Sequence, residues 1–388
     1  MTEWREQKLS DFMDFNPYTP LSKGIIAKKV TMEKLIPFNR KIQGYEDAVF
    51  SGGTKFKNGD TLVARITPCL ENGKTAYVDF LNDEEVAFGS TEFIVLRAKE
   101  GISDSRFIFY FAISDEFRDT AIQLMSGTSG RQRVDTEALK RKVFTLPPLP
   151  EQKAIAEVLS SLDDKIDLLT KQNKTLEDLA QAYFRKWFIE DANDEWEEKS
   201  LYEVVDILSG GTPSTKVAEY WGGNIPWFTP KDASNLICMD TEKHITQEGL
   251  ENCNSRLYSA GTVFISARGT VGKLAICGVP MAINQSCYAL VGKGKMSNFI
   301  VYLILSYVLD ELLLNATGAV FDAITTDTFK VIKLPLPPLN DEFYYRVKDI
   351  LSTYYEKIVL NTRQIILLQK LRDILLPKLI NGEIRIRM

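Results

Sequence analysis

Leu146-Pro147-Pro148-Leu149-Pro150-Glu151-Gln152 and Leu334-Pro335-Leu336-Pro337-Pro338-Leu339 are two versions of one boundary, and each opens a long run with helical periodicity. Within those runs Lys165, Ile166, Thr170 and Gln172 return as Lys357, Ile358, Thr362 and Gln364, an offset of 192 residues (165 to 357). Upstream, Trp4 and Leu9 return at the same offset as Trp196 and Leu201. A head-to-tail duplication of this kind predicts two similar modules related by a pseudo-two-fold, suited to a target with two separated halves.

The runs after the prolines carry a coiled-coil seam. In the first, Ile155, Leu159, Leu162, Ile166, Leu169, Asn173 and Leu176 alternate steps of four and three; in the second, Val347, Leu351, Tyr354, Ile358, Asn361, Ile365 and Leu368 do the same. A first helix from 151 to 189 would be roughly 58 Å long at ~1.5 Å per residue. Each seam holds one asparagine, a residue that fixes register at some cost in stability. If the helices run antiparallel, Asn173 and Asn361 are expected near each other at the centre of the pair. Pro377 is expected to end the second helix, with Gly382 closing its terminal turn.

Four segments result: a module over 1–145, a helical spacer over 146–190 (helix from about 151 to 189), a second module over 191–333, and a helical spacer over 334–388 (helix from about 341 to 380). Both modules read as mixed α/β. In the second, strand-like Val263–Ser266, a turn at Arg268–Lys273 and strand-like Leu274–Cys277 follow one another. The first echoes this with Gly59–Arg65 and a turn at Glu71–Lys74. Apolar helices near Phe107 to Met125 and Phe299 to Leu314 should pack on these sheets, their aromatic stripes serving as core.

Composition narrows the chemistry. The chain has 388 residues, 45% apolar and 26% charged, as in ordinary globular proteins. No N-terminal stretch has the order of a signal peptide, and the most apolar run, Phe299 to Leu314, contains Asp310 and Glu311, so a cytoplasmic protein without a membrane span is expected. The five cysteines form no C-x-x-C pair, which argues against a disulfide framework or a cysteine zinc site. His244 is the single histidine, which leaves little room for imidazole catalysis and is expected at the surface. The net charge of −5 does not suggest a nucleic-acid partner, but its distribution does. From Asn252 to Leu309 no acidic residue occurs, while Arg256, Arg268, Lys273, Lys293 and Lys295 do. In the first module Arg131, Arg133, Lys140, Arg141 and Lys142 flank the run Ser126-Gly127-Thr128-Ser129-Gly130, where glycine lets a phosphate approach the backbone and arginine supplies forked donors.

These residues resemble the specificity subunits of type I restriction-modification enzymes. The resemblance lies in the Pro-Pro-Leu-Pro-Glu-Gln start (147–152), the Tyr183–Phe188 end of the first helix and Leu379–Ile384 at the close of the second. In the second module it adds Tyr220–Trp227, Arg268–Lys273 and Asn284–Cys287, and in the first Arg65–Lys74. It spans essentially the whole chain, with one departure: the second helix lacks the Glu-Gln start and reads Asn340-Asp341-Glu342. It implies an α/β fold of two target recognition domains joined by two long antiparallel coiled-coil helices. The implied partners are double-stranded DNA with a bipartite target, two modification subunits that bind S-adenosylmethionine and methylate adenine, and restriction subunits that use ATP and Mg. It implies no catalytic residue, cofactor or metal in this chain.

For DNA contacts the candidates are Arg65, Lys74, Arg131, Gln132 and Arg133 in the first module and Arg268, Lys273, Asn284 and Gln285 in the second. Arginine suits guanine, and asparagine or glutamine suits adenine, by bidentate pairing in the major groove. The plainer readings are phosphate contact for the cations and turn formation for Asn284 and Gln285. An enzyme reading finds only fragments. Asn16-Pro17-Tyr18 lacks the second proline of an amino-methyltransferase motif, Glu6-Gln7-Lys8 and Glu197-Glu198-Lys199 lack the Pro-Asp of a nuclease, and Ser209-Gly210-Gly211-Thr212 lacks the end of a phosphate loop. The remaining alternative is a coiled-coil scaffold or adaptor without DNA specificity. Salt separates the two, since binding to phosphates weakens steeply with ionic strength and an apolar interface does not.

Overall fold

The computed structural model describes residues 3–128, 130–316 and 323–386, so Ser129 of the first glycine-rich run lies outside the described residues. The chain forms two compact units, one of Met1–Ile166 with Leu367–Met388 and one of Asp167–Ile366. Each is mixed α/β, and each is built from one module plus pieces of both long helices.

In the first unit Arg5–Lys8 pairs antiparallel with Val143–Leu146, so the chain leaves the module beside the place where it entered. An antiparallel sheet runs in the order Met13–Phe15, Phe93–Ala98, Thr61–Ala64, Thr75–Tyr77. A second sheet runs Glu46–Val49, Ile26–Val30, Ala87–Gly89, Thr54–Phe56 and contains one parallel pair. The expected apolar helix is two helices, Ser105–Ile113 and Asp115–Gln123. Asp104 caps the first through the Arg106 and Phe107 amides, and Ser114 ends it and caps the second by accepting from the Phe117 amide. Phe107, Phe109, Tyr110, Phe111 and Phe117 are all buried against the sheet, each contributing about 2 to 3 kcal/mol.

The second unit repeats the plan. Glu197–Ser200 pairs with Lys333–Leu336. The main sheet runs Val205–Ser209, Cys287–Gly292, Val263–Ser266, Leu274–Cys277, with Ile237–Cys238 added in parallel at the edge. A smaller sheet joins His244–Ile245, Trp221–Phe228 and Ala282–Ile283. The apolar stretch again divides, into Asn298–Tyr307 and Leu309–Ala316.

The central long helix spans Leu149–Phe184 and continues as a wider π-type segment over Arg185–Glu190. It starts earlier than the proline pattern suggests because Pro150 falls in the first turn, where its missing amide hydrogen has no helical partner to lose. The π-type segment at the far end is closed by the Asp191 amide on the Lys186 carbonyl, and Phe188 there is fully buried and stacked on Phe184. The C-terminal helix spans Glu342–Ile380 and passes through Pro377 instead of stopping there. Proline forfeits only its own donated bond, and its carbonyl still accepts from the Asn381 amide at 3.0 Å. Gly382, at φ +77°, then reverses the chain.

Every seam position of both helices is buried or half-buried. In the second unit the stretches run antiparallel: Asn173 donates to Thr362 at 3.2 Å, and Tyr183 stacks with Tyr354. Asn361, fully buried, donates to Gln172 at 3.5 Å. Each asparagine is thus bonded to the residue adjacent in sequence to the other, and both side-chain carbonyl oxygens are buried without a hydrogen-bond partner among the described residues. In the first unit Arg372 donates to Asp163 at 2.8 Å, and Asp163 also accepts from Tyr110, whose hydroxyl is pushed to a much higher pKa by burial and by that carboxylate.

Candidate nucleic-acid interface

In the first unit the hairpin Thr61–Ala64 / Thr75–Tyr77 positions Arg65 and Lys74 at its mouth. Arg65 lies along the strand Arg133–Val134, accepts the Val134 amide on its carbonyl, and donates from Nη2 to the Val134 carbonyl at 3.2 Å. Its Nε is buried with no hydrogen-bond partner among the described residues. Arg65, Arg133, Lys140, Asn16 and Ser126 line an open cleft of about 760 Å³, together with Asp135 and Glu137.

The candidate cations of this unit differ in what already holds them. Arg133 is gripped by Glu92, with Nε 3.0 Å from both carboxylate oxygens and Nη2 2.7 Å from one, and this carboxylate raises its pKa further. Lys74 points back into its own module and donates to the Met32 carbonyl at 2.9 Å. Gln132 is half-buried, and its carbonyl accepts from the Thr67 amide. Arg131 is exposed, and its guanidinium has no partner among the described residues.

In the second unit three loops converge. Gly210 and Gly211 pass so close to their neighbours that a Cβ would lie 2.2 Å from the Asn284 carbonyl oxygen and 2.5 Å from the Asn254 amide, respectively. Only glycine permits that approach. Beside them Thr212 donates to the Gln285 side chain, and the Asn284 side chain accepts from the Ser286 amide at 3.1 Å, which orders the turn. The amides of Ala267 and Arg268 reach the Ser286 carbonyl, which brings the Arg268–Lys273 turn to the same edge. Arg268 and Lys273 are exposed, and their side chains have no partner among the described residues. A separate cleft of about 540 Å³ is lined by Trp221, Gly222, Gly223, Lys243 and His244, with the Lys243 ammonium 5.9 Å from the Trp221 ring centre.

Asn16, Lys140, Thr212 and Lys243 join these sites without having been singled out as contacts. Asn16 and Thr212 had a signal, the Asn-Pro-Tyr and Gly-Gly-Thr fragments, whose value lies in loop geometry and not in enzyme chemistry. His244 is half-exposed and pairs with Asp240 at 2.8 Å. All five cysteines are free thiols, and burial pushes Cys238 and Cys287 up to about 12 and Cys277 up to about 11, which keeps them unreactive. Among the described residues no cluster of His, Cys, Asp or Glu fits a metal ion, and no helix is long and apolar enough to cross a membrane.

Each module thus carries unengaged cations at a loop edge, Arg131 in the first and Arg268 and Lys273 in the second. The model of the type I restriction modification DNA specificity domain matches the chain twice, over residues 1–178 and 193–370, and the chain belongs to that family. A similar relative is the type I restriction enzyme HindI specificity subunit of Haemophilus influenzae, 24% identical, with the match covering 99% of this chain and all of that one. The MjaIX specificity subunit of Methanocaldococcus jannaschii is 30% identical over 44% of this chain and 40% of its own. Among solved structures, the S subunit of a type I restriction-modification system from M. genitalium superposes with a TM-score of 0.61 at 18% identity, covering 97% of this chain and 96% of that one, which shows a shared fold.

Proposed function

We propose that this chain is the DNA-recognition subunit of a type I restriction-modification complex. The observation that carries this reading is the twofold match of the specificity-domain model, whose two copies start at 1 and 193, the same offset that separates the internal repeats. Residues 1–145 and 191–333 are the two target recognition domains, each reading one half of a bipartite target. The helical regions 146–190 and 334–388 pair as antiparallel coiled-coil helices about a pseudo-two-fold, set the half-site spacing and dock two modification subunits. The antiparallel contacts within each unit support that pairing.

Arg131, Arg268 and Lys273 are the side chains best placed to meet phosphates or guanines, since no other group among the described residues holds them. Arg133 contacts DNA by exchanging Glu92 for a phosphate. Asn284 and Gln285 order the loop edge, and Gln285 reads a base by leaving Thr212. The chain itself is non-catalytic: S-adenosylmethionine and adenine-N6 methylation belong to the modification subunits, ATP and Mg to the restriction subunits. The test is methyladenine sequencing of DNA from cells that co-express this chain with the modification subunit encoded beside it. A split motif with a fixed gap, appearing only when this chain is present, is the expected result. Absence of new methylation with both proteins soluble and associated overturns it.

A further inference from the structure

Tyr18 is the most exposed of the large apolar side chains among the described residues, at 88%. A single exposed tyrosine is ordinary on a protein surface, so exposure by itself means little. What distinguishes this one is the scaffold beneath it. The loop starts at Asn16, which lines the arginine cleft and sits in the left-handed region at φ +50°. Asn16 is clamped to Val95 from both sides, its amide donating at 2.7 Å and its side-chain oxygen accepting at 2.9 Å. One residue beyond Tyr18, Thr19 is buried and donates to the Pro17 carbonyl while accepting from Arg97 at 3.0 Å. Arg97 is itself forked at 2.7 Å onto Asp60, which is fully buried. Prolines at 17 and 20 fix the backbone on either side. Tyr18 therefore sits on a fixed stretch of backbone two residues beyond the cleft-lining Asn16, with its side chain standing in solvent.

The duplication points to the same loop. Residue 18 corresponds to Gly210 at the offset of 192 (18 to 210), and the second module's loop after its first sheet strand is the one that folds onto Asn284 and carries Thr212 to Gln285. In both modules this loop borders the candidate interface, pressed against the neighbouring turn in one and standing out in the other.

We infer that Tyr18 is a base-contacting residue of the first recognition domain, its ring wedging against an exposed base face at a step of that domain's half-site. The inference rests on the DNA-recognition reading above and adds to it a contact that carries no charge. Wedging at a duplex step requires that step to unstack, at a cost that depends on its sequence, and it is insensitive to salt, so its signature differs from that of the arginines.

The test uses the full chain assembled with its modification subunit and duplexes carrying the methylated motif, either intact or with one half scrambled, read by fluorescence anisotropy. Tyr18→Ala is expected to weaken binding to the intact motif about tenfold, with Tyr18→Phe within about twofold of the parent. The slope of affinity against salt should not change, because no cation is removed. The melting temperature should also hold, as suits a side chain that touches little. The Ala variant should lose discrimination at one half of the motif only. If the parent discriminates between the duplexes and Tyr18→Ala matches it, the role of Tyr18 is overturned while DNA recognition stands. If the parent itself shows no preference for the intact motif, the recognition reading fails and this inference falls with it.

Discussion

The starts of the two long helices occupy equivalent places and solve one packing problem with opposite chemistry. In the first unit Glu151 is 2% exposed and accepts from Arg385, at 2.7 Å from Nη2, and from the Trp4 indole at 3.1 Å. The Arg385 guanidinium also lies over the Trp4 ring. At the matching positions of the second unit stand Phe343 and Trp196, with ring centres 5.4 Å apart and Phe188 completing an aromatic cluster. The next residue repeats the contrast. Gln152 holds the segment before the first apolar helix by accepting from the Asp104 amide and donating to the Ile102 and Pro147 carbonyls. Its counterpart Tyr344 does the same work with one hydroxyl, which accepts from the Ser297 amide and donates to the Lys295 carbonyl. The missing Glu-Gln start of the second helix is thus a substitution of ring packing for an ion pair, with the docking of loop to helix retained. A buried charge needs its partner, whereas an aromatic cluster tolerates erosion, so the two ends should fail differently.

The largest expected effect follows from that asymmetry. Arg385→Ala leaves the buried Glu151 carboxylate with only the Trp4 indole as a donor among the described residues, and should lower stability by more than the loss of an exposed ion pair does. Denaturant unfolding followed by tryptophan fluorescence would measure this, and a loss no larger than that of an exposed ion pair would break the comparison.

An intermediate effect is expected at the next position. Gln152→Leu strands three backbone groups and Tyr344→Phe strands two, so losses of roughly 3 and roughly 2 kcal/mol are expected. Amide exchange localises them: protection should fall at Asp104 in the first variant and at Ser297 in the second, each without the other. Loss of protection at both amides in either variant would mean that the locks are not independent.

The smallest effect concerns the short helix that follows the N-terminal strand of each module. In the second module Glu203 accepts from the Ser200 amide at 2.7 Å and its hydroxyl at 2.6 Å, and these bonds hold its carboxyl below the ordinary 4.5. In the first module the residue matching Ser200 is Lys8, which makes no side-chain cap, and the residue matching Glu203 is Asp11. A depressed folded pKa contributes stability that is present above the unfolded value and lost as pH falls through the folded one. Glu203→Gln should therefore cost a little stability at about pH 7, and the cost should shrink as pH falls below the ordinary carboxylate range. A pH-independent difference for Glu203→Gln would remove the capping carboxylate from the account.

Much of the architecture was legible because it is written in local periodicity. The seam from Ile155 to Leu176 and its copy from Val347 to Leu368 can bury only one face of a helix, and the hairpins at 61–77 and 263–277 announce themselves by alternating strands around glycine turns. Pro377 misled because the rule that proline ends helices concerns one lost bond, which a helix near its end accommodates. Candidate contacts were less legible. Arg131, Arg133, Arg268 and Lys273 look alike as cations in the chain, yet Arg133 is held by Glu92 while the other three have no side-chain partner among the described residues.

The sequence by itself determined the duplication, the offset of 192 residues (4 to 196), the mixed α/β modules and the two long helices, since each of these follows from patterns repeated over neighbouring residues. Only the tertiary structure decided which charges are engaged and which stand ready. Arg133 meets Glu92, Lys74 meets Met32 and Gln285 meets Thr212 across separations of 41, 42 and 73 residues. Such pairings depend on which loops the folded sheets bring to one edge, and a hydrogen bond acts over about 3 Å in space regardless of distance along the chain.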